Sequence, residues 1–281
     1  MIGLYQKIRL TFGYLASRLY TMILGPYVKL VVADTKQGTF AVDPRDFGVA
    51  RHLLWNGKYS DVELSRIEEH IANDSRVLIV GAHVGAIVVP IAKLCKSLVC
   101  FEANPSTYEI LNLNLYLNGI ENCQAHCLAV GERRGEIEFL ANSVNSGGSK
   151  RMPQKQTYAY TYDSPKSIRV QMVSLDEFLE DCHFDFVLMD IEGSEYFALK
   201  GMQKILSKAR ILQVEFVPHH LQNVSGVSTA EFVDQIAQHF SSLYIPTKKL
   251  WLGREEFASA LEGMSQENKN DPGILFFKHC E

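Results

Sequence analysis

The chain has 281 residues, 47 % of them hydrophobic and 21 % charged, so it can bury a full core and is neither disordered nor fibrous. A formal net charge of −4 builds in no general attraction to nucleic acid, and none is expected as a partner. Six cysteines (Cys95, Cys100, Cys123, Cys127, Cys182 and Cys280) form no C-x-x-C pair, so they read as reduced, mostly buried thiols of a cytoplasmic protein, with no metal expected.

The first 33 residues hold no Asp or Glu, but do hold Lys7, Arg9, Arg18 and Lys29 among apolar and aromatic residues. The run 2–24 reads as a helix ended by Gly25-Pro26. Charge interrupts it too often for a membrane span, and it lacks a small-residue cleavage site. Two readings stand for residues 1–31. One is a helix lying on a membrane surface, basic on one side and apolar on the other. The other is a helix packed on the main domain or on a second subunit of a homo-oligomer.

Short strands are predicted at 28–33 and 39–42, then helices at 45–55 and 61–71. A regular alternation follows: strand 76–80, helix 84–94, strand 97–101, helix 105–117, strands 123–130 and 136–140. Asn104 is the N-cap of the fourth helix, Pro105 its first residue, and Gly119 its stop. The polar stretch 142–164 reads as a long loop. Beyond it come strand 168–173, short helix 175–179, strand 184–189, helix 196–206, strand 211–217, helix 230–240, and strands 243–245 and 274–278. Strands alternating with helices imply one α/β domain, residues 34–281, with a mostly parallel sheet and helices on both faces. Residues 1–33 form an extension.

Ligands in such sheets sit beyond the carboxyl ends of the strands. The first such loop is Gly81-Ala82-His83-Val84-Gly85. Its glycines allow a sharp turn and close approach of backbone, and the following helix N-terminus suits a carboxylate or phosphate. Glu102 ends the next strand about 20 residues later, where an acid accepts bonds from both hydroxyls of an unphosphorylated ribose. NAD and S-adenosylmethionine both meet that demand. The turn is G-x-x-x-G, not the pyrophosphate fingerprint G-x-G-x-x-G, and the chain closes in two strands with antiparallel character. Both features favour the methyl donor over an NAD-dependent oxidoreductase.

At this point the segments Val80 to Gly85, Phe101-Glu102-Ala103-Asn104-Pro105, Asn114 to Gly119, Leu128 to Gly131, Asn145 to Ser149, Val173 to Asp176 and Met189 to Glu195 stand in order over about half of the chain. Together they resemble the FkbM-type family of S-adenosylmethionine-dependent methyltransferases. The resemblance implies a Rossmann-like fold with seven strands, the last antiparallel, and O-methyl transfer to a hydroxyl that leaves S-adenosylhomocysteine. It implies that the turn (Gly81, Ala82, His83, Gly85) holds the methionine part. Glu102, with Ala103 and Asn104 beside it, would take the ribose, Ala129 and Val130 would lie by the adenine, and Asp190 would line the site. Two positions depart from the family pattern. Ile79 stands where Asp is usual, removing a carboxylate from the cofactor's ammonium. His83 stands where Asn is usual; it keeps the capacity to donate a hydrogen bond and also introduces a group able to titrate near neutral pH.

An alcohol attacking a methyl group needs a base or an orienting group. Asp190 is the first candidate, Glu192 the second, and His219 or His220 the third. Glu195, at a helix start, reads as an acid matched to the helix dipole. The loop 143–149 is placed to close over a polar acceptor, and Lys150, Arg151 and Lys155 to attract an anionic one. The acceptor is expected to be a small molecule or carbohydrate: a sugar, a glycan or glycolipid precursor, or a secondary metabolite. The competing reading on this scaffold is a degenerate, non-catalytic cofactor-binding module.

Overall fold

A computed structural model describes residues 4–180 and 183–278. A long helix, α1 (Leu4–Leu24), precedes the hairpin of β1 (Val31–Thr35) and β2 (Gly38–Val42) and the helices α2 (Val49–Asn56) and α3 (Asp61–Glu68). The alternation then runs β3 (Arg76–Val80), α4 (Val88–Ala92), β4 (Ser97–Phe101), α5 (Pro105–Leu117) and β5 (Cys123–His126). An excursion follows: β6 (Ala129–Val130), β7 (Gly135–Ala141), β8 (Lys150–Arg151), α6 (Tyr158–Thr161) and β9 (Lys166–Val173). The remainder is α7 (Leu175–Phe178), β10 (Phe186–Met189), α8 (Glu195–Lys200), α9 (Gln203–Leu206), β11 (Ile211–Phe216), α10 (Pro218–His220), α11 (Thr229–Asp234), β12 (Ser242–Ile245), β13 (Leu250–Gly253), α12 (Phe257–Gln266) and β14 (Asp271–Phe277).

The main sheet has eight strands in the order β13-β12-β14-β11-β10-β3-β4-β5. Strands β11, β10, β3, β4 and β5 are parallel, whereas β14 runs antiparallel between β11 and β12. The expected seven strands with an antiparallel last strand are therefore present, and β13 adds an eighth by pairing antiparallel with β12. The chain leaves β3 toward β4 on one side and returns to β10 on the other, so the topological switch point lies at β3. The register aligns the strand ends there. Val80 pairs with Phe101 and with Met189, so the loops after β3, β4 and β10 emerge side by side.

The core follows the period-two alternation of strands buried on both faces. Leu78 and Val80 join Val187, Met189, Leu212 and Val214 on one face. Val77 and Ile79 join Phe186, Leu188 and Ile211 on the other. Each large apolar side chain so buried contributes roughly 1.5–3 kcal/mol. Asn114 on α5 is fully buried and spends its amide on backbone. Its Oδ1 accepts from Ala41 N (2.6 Å), and its Nδ2 donates to Ala41 O (3.0 Å) and Val84 O (2.8 Å). The Asn114 to Gly119 segment thus ties the β1–β2 hairpin to the glycine turn. Asn104 caps α5 through Ser106 N, as predicted.

Several boundaries moved. The predicted strand 123–130 is two strands in different sheets, because the chain leaves the main sheet at Cys127 to pair β6 with β9. The predicted helix 84–94 begins only at Val88 and contains Pro90, so the turn is longer and its helix has five residues. The helix 196–206 is broken at Gly201, where an added Cβ would come within 2.0 Å of Gly131 O. The stretch 142–164 is not a plain loop, since it carries β8 and α6. Asp163 organises its start by accepting from Asn142 Nδ2, Ser143 N and Val144 N. Helix α12 lay in a segment read only as a long connection. Cys95 and Cys100 are buried free thiols and Cys123 and Cys127 are half-buried, while Cys182 and Cys280 lie outside the described residues.

Candidate active site

A cavity of about 400 Å³ opens at the switch point, within the ~300–1,000 Å³ usual for small-molecule sites. Its wall is built from strand ends and the loops that follow them, with Val49 and His52 of α2 and Glu63 of α3. Gly81 has φ +96°, and a Cβ there would lie 1.8 Å from Asp190 O. Only glycine lets the loops after β3 and β10 come this close. Gly81 N and Ala82 N both donate to Phe101 O (2.9 Å each), which locks the turn onto the end of β4.

Glu102 stands at that end, buried, with its two oxygens divided between two backbone donors. Oε2 accepts from His83 N and Oε1 from Asn104 N, each at 2.8 Å. Each oxygen keeps a second lone pair. Burial pushes this carboxyl up to about 7, against the backbone bonds that pull it down. Phe101, Ala103, Leu128, Ala129, Val130, Ile137 and Phe139 supply an apolar wall beside it.

The opposite wall is charged. Asp190 opens onto the cavity, and Glu192, Glu215 and Glu63 stand around it. Burial, then Glu192 and Glu63, hold the Asp190 carboxyl well above the usual carboxylate range. Burial, then Asp190 and Glu192, do the same to Glu215. Glu192 goes the other way. Burial raises it, but the Lys150 ammonium, by its charge and its hydrogen bond, heads the interactions that outweigh burial and hold it low. Lys150 Nζ donates to Glu192 Oε2 at 2.9 Å and sits 4.7 Å from the Tyr160 ring centroid. Glu192 adopts φ +55°, an uncommon backbone state for this residue type and one that recurs at functional sites. His220 Nε2 lies 3.5 Å from Glu192 Oε2 and Nδ1 lies 3.7 Å from Glu215 Oε2, too far for hydrogen bonds. Burial lowers His220 to about 3, so it is neutral at pH 7. Glu192, Glu215 and His220 bring potential ligand atoms within 4.8 Å of one another, as do Asp190, Glu195 and Glu215.

A chain of bonds ties the loop above to the glycine turn. Ser146 Oγ donates to Asp46 Oδ2 (2.5 Å), and His83 Nε2 lies 2.6 Å from the same Oγ. With the hydroxyl proton committed to Asp46, the imidazole is the donor, its proton on Nε2. Burial lowers His83 to about 4 and raises Asp46 to about 6. Burial thus holds His83 neutral at pH 7, and of its two expected capacities the strap uses the hydrogen bond. His83 is a neutral strap residue, at φ +50°.

Of the residues singled out from sequence, Gly81, Ala82, His83, Glu102, Ala103, Ala129, Val130, Asp190 and Glu192 all line this cavity. Gly85 (φ +87°) packs on Leu111 behind the turn, and Asn104 lines a larger neighbouring cavity and not this one. His219 is not in the wall, and its ring lies over Tyr160 instead. The histidine facing the carboxylates is His220, on α10 rather than in a solvated loop. Lys150 is not a surface charge but a buried partner of Glu192. Glu195 is buried at the start of α8 and accepts from Ile191 N (2.9 Å), consistent with a helix-start acid. Ile79 is core, one face away from the cavity. Asp46 and Glu63 were missed, because neither sits in a local motif. Glu63 accepts from Gln213 Nε2 (2.9 Å) and Ser60 Oγ (2.8 Å).

The arrangement fits a nucleoside with free ribose hydroxyls and a cationic tail. Glu102 keeps acceptor capacity for the ribose. The apolar wall suits a flat base. The glycine turn leaves space that any Cβ at residue 81 would remove, and Glu63 adds a carboxyl to the lining where position 79 has none.

Comparison with known proteins matches residues 80–243 to the methyltransferase FkbM domain. No curated protein matches the chain. Solved structures that it resembles include an rRNA methylase from Streptococcus thermophilus, 13 % identical at TM-score 0.44, covering 78 % of this chain and 95 % of that one. A putative methyltransferase from Streptococcus mutans, solved with SAH, is 11 % identical at TM-score 0.44, with coverage of 78 % and 98 %. A TehB-like SAM-dependent methyltransferase from Corynebacterium glutamicum is 10 % identical at TM-score 0.45, with coverage of 82 % and 94 %. The domain match spans more than half of the sequence, and it decides against the hydride-transfer reading: the chain belongs to the methyltransferase FkbM domain family, with S-adenosylmethionine as its cofactor.

Proposed function

We propose that the chain is an O-methyltransferase acting on a hydroxyl of a sugar, a glycan or glycolipid precursor, or a secondary metabolite, with residues 34–281 as its catalytic unit. The observation that carries the reading is the wall of Asp190, Glu192 and Glu215 beside the Glu102 pocket, with Lys150 against Glu192 and His220 against Glu192 and Glu215 outside the lining. S-adenosylmethionine, when bound, supplies a methyl group already activated for in-line displacement. The protein's task is then to align the acceptor, exclude water and take one proton.

Asp190 suits that last role. It opens onto the cavity, and its raised pKa makes its carboxylate a stronger base than an ordinary one. Glu192, kept ionised by Lys150, accepts a hydrogen bond from a neighbouring acceptor hydroxyl without competing for its proton. His220, neutral, stands outside the lining beside Glu192 and Glu215 and orients those two carboxyl groups. The strap His83–Ser146–Asp46 holds the 145–149 loop over the cavity, and its hydroxyls and amides suit a polyhydroxylated ligand.

The test is methyl transfer from labelled cofactor onto fractionated glycans, glycolipids, small metabolites and RNA, with the product linkage read by mass spectrometry. An alkali-stable methyl ether on a hydroxyl supports the reading. A methyl group on nitrogen or carbon, or on an RNA base, overturns it.

A further inference from the structure

Helix α1 is inside out for a helix of a water-soluble surface. Ile8, Phe12, Leu15, Leu19, Met22 and Ile23 are 55–80 % exposed, spaced three or four residues apart along its 21 residues. The residues turned toward the domain are small or polar. Gly13 and Ser17 are buried, Tyr14 and Thr21 half-buried, and the helix backbone at Gly13 comes close to the Phe47 ring. Phe12 and Tyr20 fasten the helix to Phe47 and Trp55 by edge and tilted ring contacts. The helix is thus docked on the domain by its small and polar side and by ring contacts of Phe12 and Tyr20, with most of its apolar side left bare.

The charges have a matching order. With ~100° per residue, the six apolar side chains fall within an arc of about 100°, Arg9 lies about 40° past one edge and Arg18 about 40° past the other. Lys7 flanks the Arg18 side, and Tyr27, 94 % exposed, and Lys29 extend the same character beyond the helix. No acidic residue occurs before Asp34. No described helix is long and apolar enough to cross a membrane.

We propose that α1 lies in the plane of an anionic lipid bilayer, its apolar arc in the acyl boundary and its arginines at the headgroups. Charge decides between this and a second copy of the chain. Two such faces pressed together would bring the arginine shoulders of both copies into one interface, with no carboxylate in the segment to pair them. A negatively charged bilayer satisfies the shoulders and the apolar arc at once, because Arg stems bury while their heads reach outward.

The inner side of the same helix has a second consequence, which rests on the methyl-transfer reading, whereas the docking does not. Tyr14, Ser17, Arg18 and Thr21 roof a cavity of about 1,020 Å³ whose far wall includes Ser146, the strap residue shared with the cofactor cavity. Docking sets this cavity at the lipid–water boundary, and an acceptor suited to it is a hydroxylated headgroup carried on a lipid.

The experiment is co-sedimentation of the full chain with phosphatidylcholine vesicles and with mixed phosphatidylglycerol–phosphatidylcholine vesicles, beside its mass in solution by light scattering. Binding to the anionic vesicles alone, falling with added salt, is the expected result. Leu15→Glu/Leu19→Glu and Lys7→Gln/Arg9→Gln each lower the partition coefficient by about tenfold or more, while S-adenosylhomocysteine affinity and the circular dichroism spectrum stay unchanged. Absence of binding by the unaltered chain at low salt overturns the proposal, whatever the variants do. So does a stable dimer that Leu15→Glu/Leu19→Glu converts to monomer while neither form binds vesicles. Failure of methyl transfer leaves the vesicle result untouched, so the two readings fail separately.

Discussion

Replacing Lys150 with Met removes a cation and keeps most of its stem. The Lys150 side chain is 5 % exposed and that of Glu192 21 %, so the pair is largely shielded from water. Deleting one partner of a fully buried pair costs ~3–5 kcal/mol, and the partial exposure of Glu192 brings the expected loss to about 2–3 kcal/mol at pH 7. The sign with pH follows from the Glu192 carboxyl. Its folded value lies below the ordinary 4.5, so its pairing contributes stability above that value and loses it as pH falls through the folded one. In the variant, burial and the neighbouring Asp190 and Glu215 push the same carboxyl up, so it costs stability as pH rises. The gap between the two proteins is therefore widest near neutral pH and closes toward pH ~4. Only the cation–π contact with Tyr160, about 0.5–1 kcal/mol, persists there. Urea unfolding at a series of pH values measures it, and Lys150→Met/Glu192→Gln should recover most of the loss at pH 7. A gap of equal size at pH 4 and pH 7, with no recovery in the double variant, would refute the electrostatic account and leave stem packing as the cause.

Three further outcomes are expected. Glu102→Ala weakens S-adenosylhomocysteine binding about tenfold or more in calorimetric titration, since the freed amides of His83 and Asn104 also lose their fixed acceptor; unchanged affinity counts against the ribose role. Asp190→Asn lowers turnover by roughly 10²–10⁴-fold and leaves cofactor affinity nearly intact, as single-turnover and binding assays would separate; equal losses in both would make it a binding residue only. Gly81→Ala drives a methyl group into Asp190 O at a φ that disfavours any Cβ, and abolishes cofactor binding with a stability loss of more than about 1 kcal/mol in thermal unfolding; wild-type affinity in that variant would mean the two loops are not held as described.

Local chemistry was readable because its cause is local. The β3 turn needs glycine at residue 81 for one backbone angle, α5 needs Asn104 and Pro105 for its first turn, and Glu102 is positioned by amides one or two residues away or on the adjoining turn. Such constraints are written within a few neighbouring residues. The boundaries that moved were those set from outside the segment. β6 leaves the main sheet and pairs with β9, and Gly201, at the break in the helix 196–206, lies so close to the Gly131 carbonyl that no Cβ would fit. No period in the sequence carries that information.

The same division runs through the site. The sequence by itself determined the alternating α/β layering, the switch-point turn and the acid that follows it, since hydrophobic period and turn stereochemistry act over one or two elements. Only the tertiary structure decided which charges meet. It brought Lys150 to Glu192 across 42 residues and Ser146 to Asp46 across 100, chose His220 over its neighbour, and made His83 a neutral strap. The reason is physical. A carboxylate or imidazole takes its protonation from burial and from charges a few ångströms away, and those distances exist only after the sheet has closed the chain on itself.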